Sequence, residues 1–266
     1  MSEGSRIGKV YLVGAGPGDV GLLTLRGAEV LSGCEVVVYD ALVNEEILAY
    51  APTEAERIGV GEAHGEGRLT QSHIIEILID RARQGRRVVR LKGGDPLLFG
   101  RGGEEARALR AAGIPYEIVP GVSAGLAVPA YAGIPLTHRG ISSSVAFVTG
   151  HECAAREGAV RWEALAQAAE TLVIFMGGKR LPQIVERLLR GGLGPETPIA
   201  LIERGTYDDQ RVRVATLGTV RAEIEREPLR SPVLIVVGEV VRLSRELAWF
   251  PMGELVAEVL EEEVVA

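Results

Sequence analysis

The segment from Val88 to Glu105, VVRLKGGDPLLFGRGGEE, sets the strongest limit on the fold. Its first four residues are valine and leucine around one arginine, the composition of a strand. Gly93-Gly94-Asp95-Pro96 then stops that strand, because glycine weakens any regular element and the residue before proline is barred from the helical region. A second break, Gly100-Arg101-Gly102-Gly103, precedes Glu104-Glu105 and a helical pattern running to Ala112. Strand, long loop and helix in that order belong to a parallel α/β sheet, where ligands bind beyond the carboxyl ends of the strands. A glycine loop also lets a ligand reach the main chain, since no Cβ intervenes. A surface crossover has a similar outline, but the density of Gly, Asp and Arg in apolar surroundings favours a site.

The same alternation runs through the first half. Strand candidates at 7–13, 35–39, 57–60, 88–91 and 116–119 are separated by helical patterns, with Leu22, Leu25, Ala28 and Leu31 on one face of the first. Thr70 to Gln84 reads as a helix with Ile74, Ile75, Leu78 and Ile79 inward and Gly85 as its stop. Gly133 to Gly140, GIPLTHRG, is the most linker-like stretch. Beyond it the pattern restarts, with strands at 143–149, 171–175, 198–202 and 232–237. The alternating Arg211-Val212-Arg213-Val214 marks a half-exposed antiparallel strand. The expected organisation is α/β: two α/β/α domains, 1–138 and 139–250, with a cleft between them, then an acidic tail over 251–266 in which Glu254 to Ala266 is a helix candidate.

Composition removes several function classes. Of 266 residues, 47% are hydrophobic and 24% charged, enough apolar material for real cores. A net charge of −7 argues against general nucleic-acid binding and against a polybasic membrane surface. No apolar run approaches the ~20 residues that span a bilayer, and no charged-then-apolar leader precedes Lys9. Cys34 and Cys153 lie far apart without metal-ligand spacing, as expected of a reduced compartment. The four histidines, His64, His73, His138 and His151, show no metal spacing either, so no metal site is expected. A soluble cytoplasmic protein is the expectation.

Gly14-Ala15-Gly16-Pro17-Gly18-Asp19 invites a dinucleotide reading, with Asp40 at the next strand end where a ribose would bind. It fails in detail. The fingerprint needs glycine at position 19 for close helix–strand packing, and Asp19 stands there; Pro17 removes an N–H that a phosphate would want. No phosphate-binding P-loop is present. Pro17, Asp40, Gly93 to Asp95, Ser123-Ala124, Met176 and Gly205 all follow strand candidates. The set suits a ligand held by backbone groups and a few polar atoms, and an adenosyl compound without phosphates fits better than a nucleotide.

Taken together, YLVGAGPGD, VVVYDALV, VVRLKGGDPLLFGRGGEE, VPGVSAGLAVPAYAGIPLTHRG, FVTGH and TLVIFMG closely resemble the tetrapyrrole methylases, from about Gly8 to Phe250. The resemblance implies a homodimer using S-adenosyl-L-methionine and releasing S-adenosyl-L-homocysteine. It carries cofactor contacts onto Pro17, Gly93, Gly94, Asp95, Leu98, Ser123, Ala124, Met176 and Gly205. For Met176 and Leu98, core filling is the competing role. The implied reaction methylates two pyrrole carbons of uroporphyrinogen III, giving precorrin-2 by way of precorrin-1. Methylation of another precorrin, or an inactive tetrapyrrole or adenosyl sensor, are the alternatives. Asp40 is the implied catalytic base; a carboxylate there also fits a cap for the next helix near Asn44. Arg101, His138 and Arg139 are expected to meet the substrate carboxylates, because arginine grips a carboxylate with two parallel hydrogen bonds. Arg90 and Lys92 follow, one of them expected to serve only the surface. Many family members carry a lysine after the Val-Gly of the third strand as a proposed proton donor. Here Val60-Gly61 is followed by Glu62.

Overall fold

The computed structural model describes residues 7–61, 69–151 and 160–250, and the backbone of 253–256. The chain divides into two compact units, Met1–Ser123 and Ala124–Ala266.

The first unit contains β1 (Lys9–Gly14), α1 (Leu25–Ser32), β2 (Val36–Asp40), β3 (Glu56–Val60), α2 (Gln71–Arg83), β4 (Arg87–Lys92), α3 (Gly102–Ala111) and β5 (Tyr116–Val119). Its five strands pair in the order β3-β2-β4-β1-β5, every pair parallel. Successive residues on a strand face opposite ways, and the core divides accordingly. Val10, Leu12, Val36, Val38 and Val88 pack under α2 and α3 through Ile74, Leu78, Ala106 and Leu109. Val13, Val37, Val89 and Leu91 pack on the other face against Val30 and Leu31 of α1. Each such residue removed from water stabilises the unit by roughly 1.5–3 kcal/mol.

Local signals end the helices as the sequence suggests. Thr70 caps α2 through its hydroxyl, and Gly85, at φ +85°, turns the chain back. Ile74 and Leu78 are buried as expected. The first helix differs. Thr24 accepts from the Gly27 N–H and starts α1 at Leu25, which sets Leu22 in a separate 3-10 turn and leaves Leu25 92% exposed. The cap, not the apolar spacing, fixed the phase.

The second unit contains α4 (Ala124–Tyr131), β6 (Val145–Thr149), α5 (Trp162–Ala168), β7 (Thr171–Phe175), α6 (Leu181–Arg190), β8 (Pro198–Glu203), β9 (Arg211–Thr216), α7 (Val220–Arg226), β10 (Val233–Val237), α8 (Ser244–Leu247) and β11 (Gly253–Val256). Its sheet runs β11-β9-β8-β10-β7-β6 and is mixed: β10 is antiparallel to β7 and β8, and β8 to β9. The antiparallel strand read from Arg211 to Val214 is β9. The tail requires a correction. Gly253–Val256 forms a strand parallel to β9 instead of opening a helix, because the unpaired edge of β9 offers main-chain partners.

The expected boundary at 138/139 also differs from the division after Ser123. Val128, Ala132 and Ile134 belong to the core formed by Val173, Ala200, Ile202 and Val236. Trp249 donates its indole N–H to the Ala130 carbonyl at 2.9 Å and packs edge-on to Tyr131. The linker-like composition of Gly133 to Gly140 marks a turn inside the second unit.

An ion pair in this unit gives a pH test. Two hydrogen bonds from the Arg187 guanidinium, 2.9 and 2.8 Å, hold the Glu163 carboxyl down to about 2 from an ordinary value of 4.5. A depressed carboxylate stabilises the fold above its unfolded value and loses that contribution as pH falls through the folded one. The pair is solvent-exposed, so the effect is small. Arg187→Ala is expected to lower the unfolding midpoint above pH 4.5, with the difference from wild type vanishing as pH falls toward 2; equal differences across that range would exclude this pair as the cause.

Candidate active site

The connection after β2 runs outward to β3, whereas that after β4 runs the other way, past β1 to β5. Loops that part in this way open a crevice between β2 and β4, the switch point where parallel sheets hold ligands. A cavity of about 690 Å3 lies there, lined by Asp40, Gln71, Arg90, Lys92, Gly93 and Arg101 among others.

Four glycines shape its neighbourhood. The Gly16 and Gly94 N–H groups each donate to the other's carbonyl, at 3.2 and 2.7 Å, tying the loop after β1 to the loop after β4. A Cβ on Gly121 would stand 2.3 Å from the Gly94 oxygen, and one on Gly14 2.5 Å from the Gly121 Cα. The loops after β1, β4 and β5 therefore cross as bare main chain, and Gly94 at φ +66° needs the freedom of glycine. Asp95 staples the crossing: Oδ1 accepts from the Leu97 and Leu98 N–H groups at 2.8 and 3.2 Å, and Oδ2 from the Gly121 N–H at 3.1 Å. Its carboxylate is thus committed to the loops, leaving backbone atoms for a ligand.

A buried charge cluster forms the floor. Val88, Arg90 and Lys92 share the α2/α3 face of β4, and both cations are 2% exposed. This corrects the expectation that one of them serves the surface: residues two apart on a strand point the same way. Opposite stands Glu105, fully buried on the Gly102, Glu105, Ala106, Leu109 stripe of α3. Its Oε1 accepts from Arg90 Nε at 3.1 Å, Lys92 Nζ at 3.0 Å and Gln71 Nε2 at 3.0 Å, while Oε2 has no partner among the described residues. Arg90 also donates to Asp40 Oδ1 and to the Val38 and Leu91 carbonyls at 3.3 Å. Lys92 Nζ lies 4.0 Å from Asp40 Oδ2. Burial, and next the Arg90 guanidinium, push the Lys92 ammonium below the usual lysine range.

Asp40 itself is partly open, with a side chain 31% exposed. It does not cap the following turn. Asn44 does so with its own side chain, accepting from the Glu46 N–H at 3.1 Å, which removes the capping reading. Arg101, at φ +59°, starts α3, and its exposed guanidinium makes two bonds to Glu104, at 2.9 and 2.7 Å. Pro17 and Leu98 are half-buried, and Ser123 is buried.

In the second unit Ala124 begins α4 and packs on its core. Met176 follows β7 with φ +55° and is 52% exposed, so core filling does not explain it. Gly205 follows β8, where a Cβ would stand 2.4 Å from Val128 Cγ1; a packing requirement alone accounts for glycine there. His138 and Arg139 are exposed in a turn closed by backbone bonds between His138 and Ser142. Glu62, His64 and Cys153 lie outside the described residues.

Among the described residues, five besides glycine have positive φ: Phe99, Arg101, Met176, Arg204 and Thr206. All lie in segments following the carboxyl ends of β4, β7 or β8. Such conformations cost about 1–3 kcal/mol each and concentrate at functional sites. Glu105 is the residue that sequence reasoning missed. It reads as an ordinary first-turn acid, yet its place on the apolar stripe of α3, facing two cations on one strand face, was a usable signal.

A parallel sheet with a bare main-chain crossing and a charged cavity at its switch point defines an α/β enzyme acting on small molecules. The chain belongs to the tetrapyrrole (corrin/porphyrin) methylases, whose family profile matches residues 9–221. It is 50% identical over 237 residues to the S-adenosyl-L-methionine-dependent uroporphyrinogen III methyltransferase of Methanosarcina barkeri, covering 89% of this chain and 93% of that protein. It is also 50% identical over 249 residues to siroheme synthase 1 of Serratia proteamaculans, covering 94% of this chain and 52% of that longer protein. The crystal structure of uroporphyrin-III C-methyl transferase from Thermus thermophilus complexed with S-adenyl homocysteine superposes with a TM-score of 0.76 at 42% identity, over 89% of this chain and all of that one.

Proposed function

We propose that this chain transfers methyl groups from S-adenosyl-L-methionine to two pyrrole carbons of uroporphyrinogen III, giving precorrin-2 by way of precorrin-1. The observation that carries the reading is 50% identity over 89% of the chain to a methyltransferase of that donor and substrate. The family match at 9–221 spans every candidate position from Pro17 to Gly205. The residues present suit the donor. The close crossing of Gly14, Gly94 and Gly121 carries no side chains, so a donor can approach the main chain of these loops.

When bound, the donor supplies a methyl group on positively charged sulfur, an electrophile needing no further activation. The electron-rich pyrrole carbon is its own nucleophile. The protein's task is to align the two reactants and to take up the proton released as the ring system rearranges. The family resemblance assigns donor contacts to Pro17, Gly93, Gly94, Asp95, Leu98, Ser123, Ala124, Met176 and Gly205. Asp40 takes the proton, its Oδ1 fixed by Arg90. Arg101, His138 and Arg139 meet the carboxylates of the substrate. The family resemblance supports a cytoplasmic homodimer, which sedimentation of the purified protein checks.

Incubation with uroporphyrinogen III and methyl-labelled donor is expected to yield a dimethylated tetrapyrrole whose oxidised form fluoresces red. Absence of label in the tetrapyrrole would overturn the reading. Arg101→Ala is expected to raise KM for the tetrapyrrole about 10–100-fold, the value of one or two charge-assisted hydrogen bonds, with S-adenosylhomocysteine affinity unchanged by calorimetry. Loss of cofactor affinity instead would move Arg101 to the donor site.

A further inference from the structure

We propose that Glu105 is a positioning residue that holds Lys92 away from Asp40, and so keeps one carboxylate oxygen of Asp40 free to accept a proton. The proposal rests on the reading of Asp40 as the base. The two cations and two carboxylates of the cluster balance in charge, with Arg90, Lys92 and Glu105 buried and Asp40 partly open. Their distribution is uneven. Glu105 Oε1 receives Arg90, Lys92 and Gln71 together, at 3.0–3.1 Å, although its Oε2 receives nothing from the described residues. Among the described residues Asp40 receives a side-chain hydrogen bond from Arg90, on Oδ1. Lys92 Nζ stops 4.0 Å short of Oδ2, outside hydrogen-bond reach. A lysine has a flexible stem and three donors, so nothing in its chemistry prevents it from closing that gap. The attraction of Glu105, fully buried and presented rigidly by α3, does so instead.

Neutralising Glu105 would leave Asp40 as the carboxylate nearest Lys92 among the described residues. Its ammonium would then occupy Asp40 Oδ2, and a carboxylate bonded at both oxygens by cations is a poor proton acceptor. Among the described residues, the other groups lining this space are Gln71 of α2, which is neutral, and Arg101 at the start of α3, already bonded to Glu104. Neither competes for Lys92 in the described contacts.

The test compares wild type, Glu105→Gln and the double variant Glu105→Gln/Lys92→Met. For Glu105→Gln, kcat is expected to fall about 10–100-fold, within the range that general-base catalysis supplies, with KM and S-adenosylhomocysteine affinity little changed. The double variant, which has no lysine to occupy Asp40, is expected to recover most of that loss. A purely structural role for Glu105 would make the double variant worse. Crystal structures of the three proteins supply a readout independent of turnover: in Glu105→Gln the Lys92 ammonium should contact Asp40 Oδ2. Lys92 remaining at position 105, or a double variant no faster than the single one, overturns the proposal. If wild type itself fails to methylate uroporphyrinogen III, the substrate reading falls, while the lysine position in the crystal still decides the role of Glu105.

Discussion

Asp40→Asn is expected to lower kcat for methyl transfer by about 10²–10⁴-fold, the usual contribution of a positioned base, while S-adenosylhomocysteine binds as in wild type. Asparagine keeps the shape of the side chain and an oxygen for the Arg90 guanidinium, which donates to Oδ1. What it loses is the ability to hold a proton. Because Asp40 lines the cavity at the switch point and caps nothing, stability should not account for the change. Removing one anion does leave Arg90 and Lys92 facing Glu105 alone, so thermal unfolding of the variant must be followed beside the kinetics. Steady-state rates with calorimetric titration decide the matter. A variant with full kcat, or one that has lost cofactor affinity in proportion, would remove Asp40 from the role of base.

The second large effect is expected at Gly121. Gly121→Val would place a Cβ 2.3 Å from the Gly94 oxygen and 2.6 Å from the Gly14 Cα. Both neighbours are main chain, so no rotamer change relieves the overlap. The crossing of three loops must open, at a cost of about 3 kcal/mol or more, and the donor site formed there is lost with it. Gly103→Ala is the matched control. It also lies beside the long loop, but nothing stands within 4 Å of its Cβ position, on an exposed face of α3. Alanine there should stabilise by up to about 1 kcal/mol through helix propensity. Chemical denaturation and S-adenosylhomocysteine titration of both variants check the pair. Normal cofactor binding by Gly121→Val would show that the crossing is not part of the donor site.

Gly121 shows where local sequence stops being informative. In VPGVS it looks like any turn glycine, and its φ is not in the left-handed region. It is required because Gly14 and Gly94, distant in sequence, pass across it. Gly205 shows the reverse case: its resemblance-based cofactor role has a packing explanation, contact with Val128 of α4. Asp95 likewise reads as a ligand from composition, whereas its carboxylate is spent on three loop N–H groups. His138 and Arg139 sit in a local turn of the second unit, although their neighbours read as a linker.

The sequence by itself determined the elements and their kind. Strand and helix alternation requires only local periodicity, and it placed β2, β4, β5, β7 and α2 to within a few residues. The motifs around Gly93 and His138 were specific enough to indicate the family, because loops built on glycine and proline leave little freedom of composition. Tertiary structure decided what alternation cannot express. The strand order put β2 beside β4, making Asp40 and Lys92 neighbours across the switch point. Helix α3 brought Glu105 beneath both cations, so that Arg90 and Lys92, one of them expected at the surface, are both buried on one carboxylate. Electrostatics acts through space and depends on burial, so the charges of this site acquire their meaning only once the sheet is assembled.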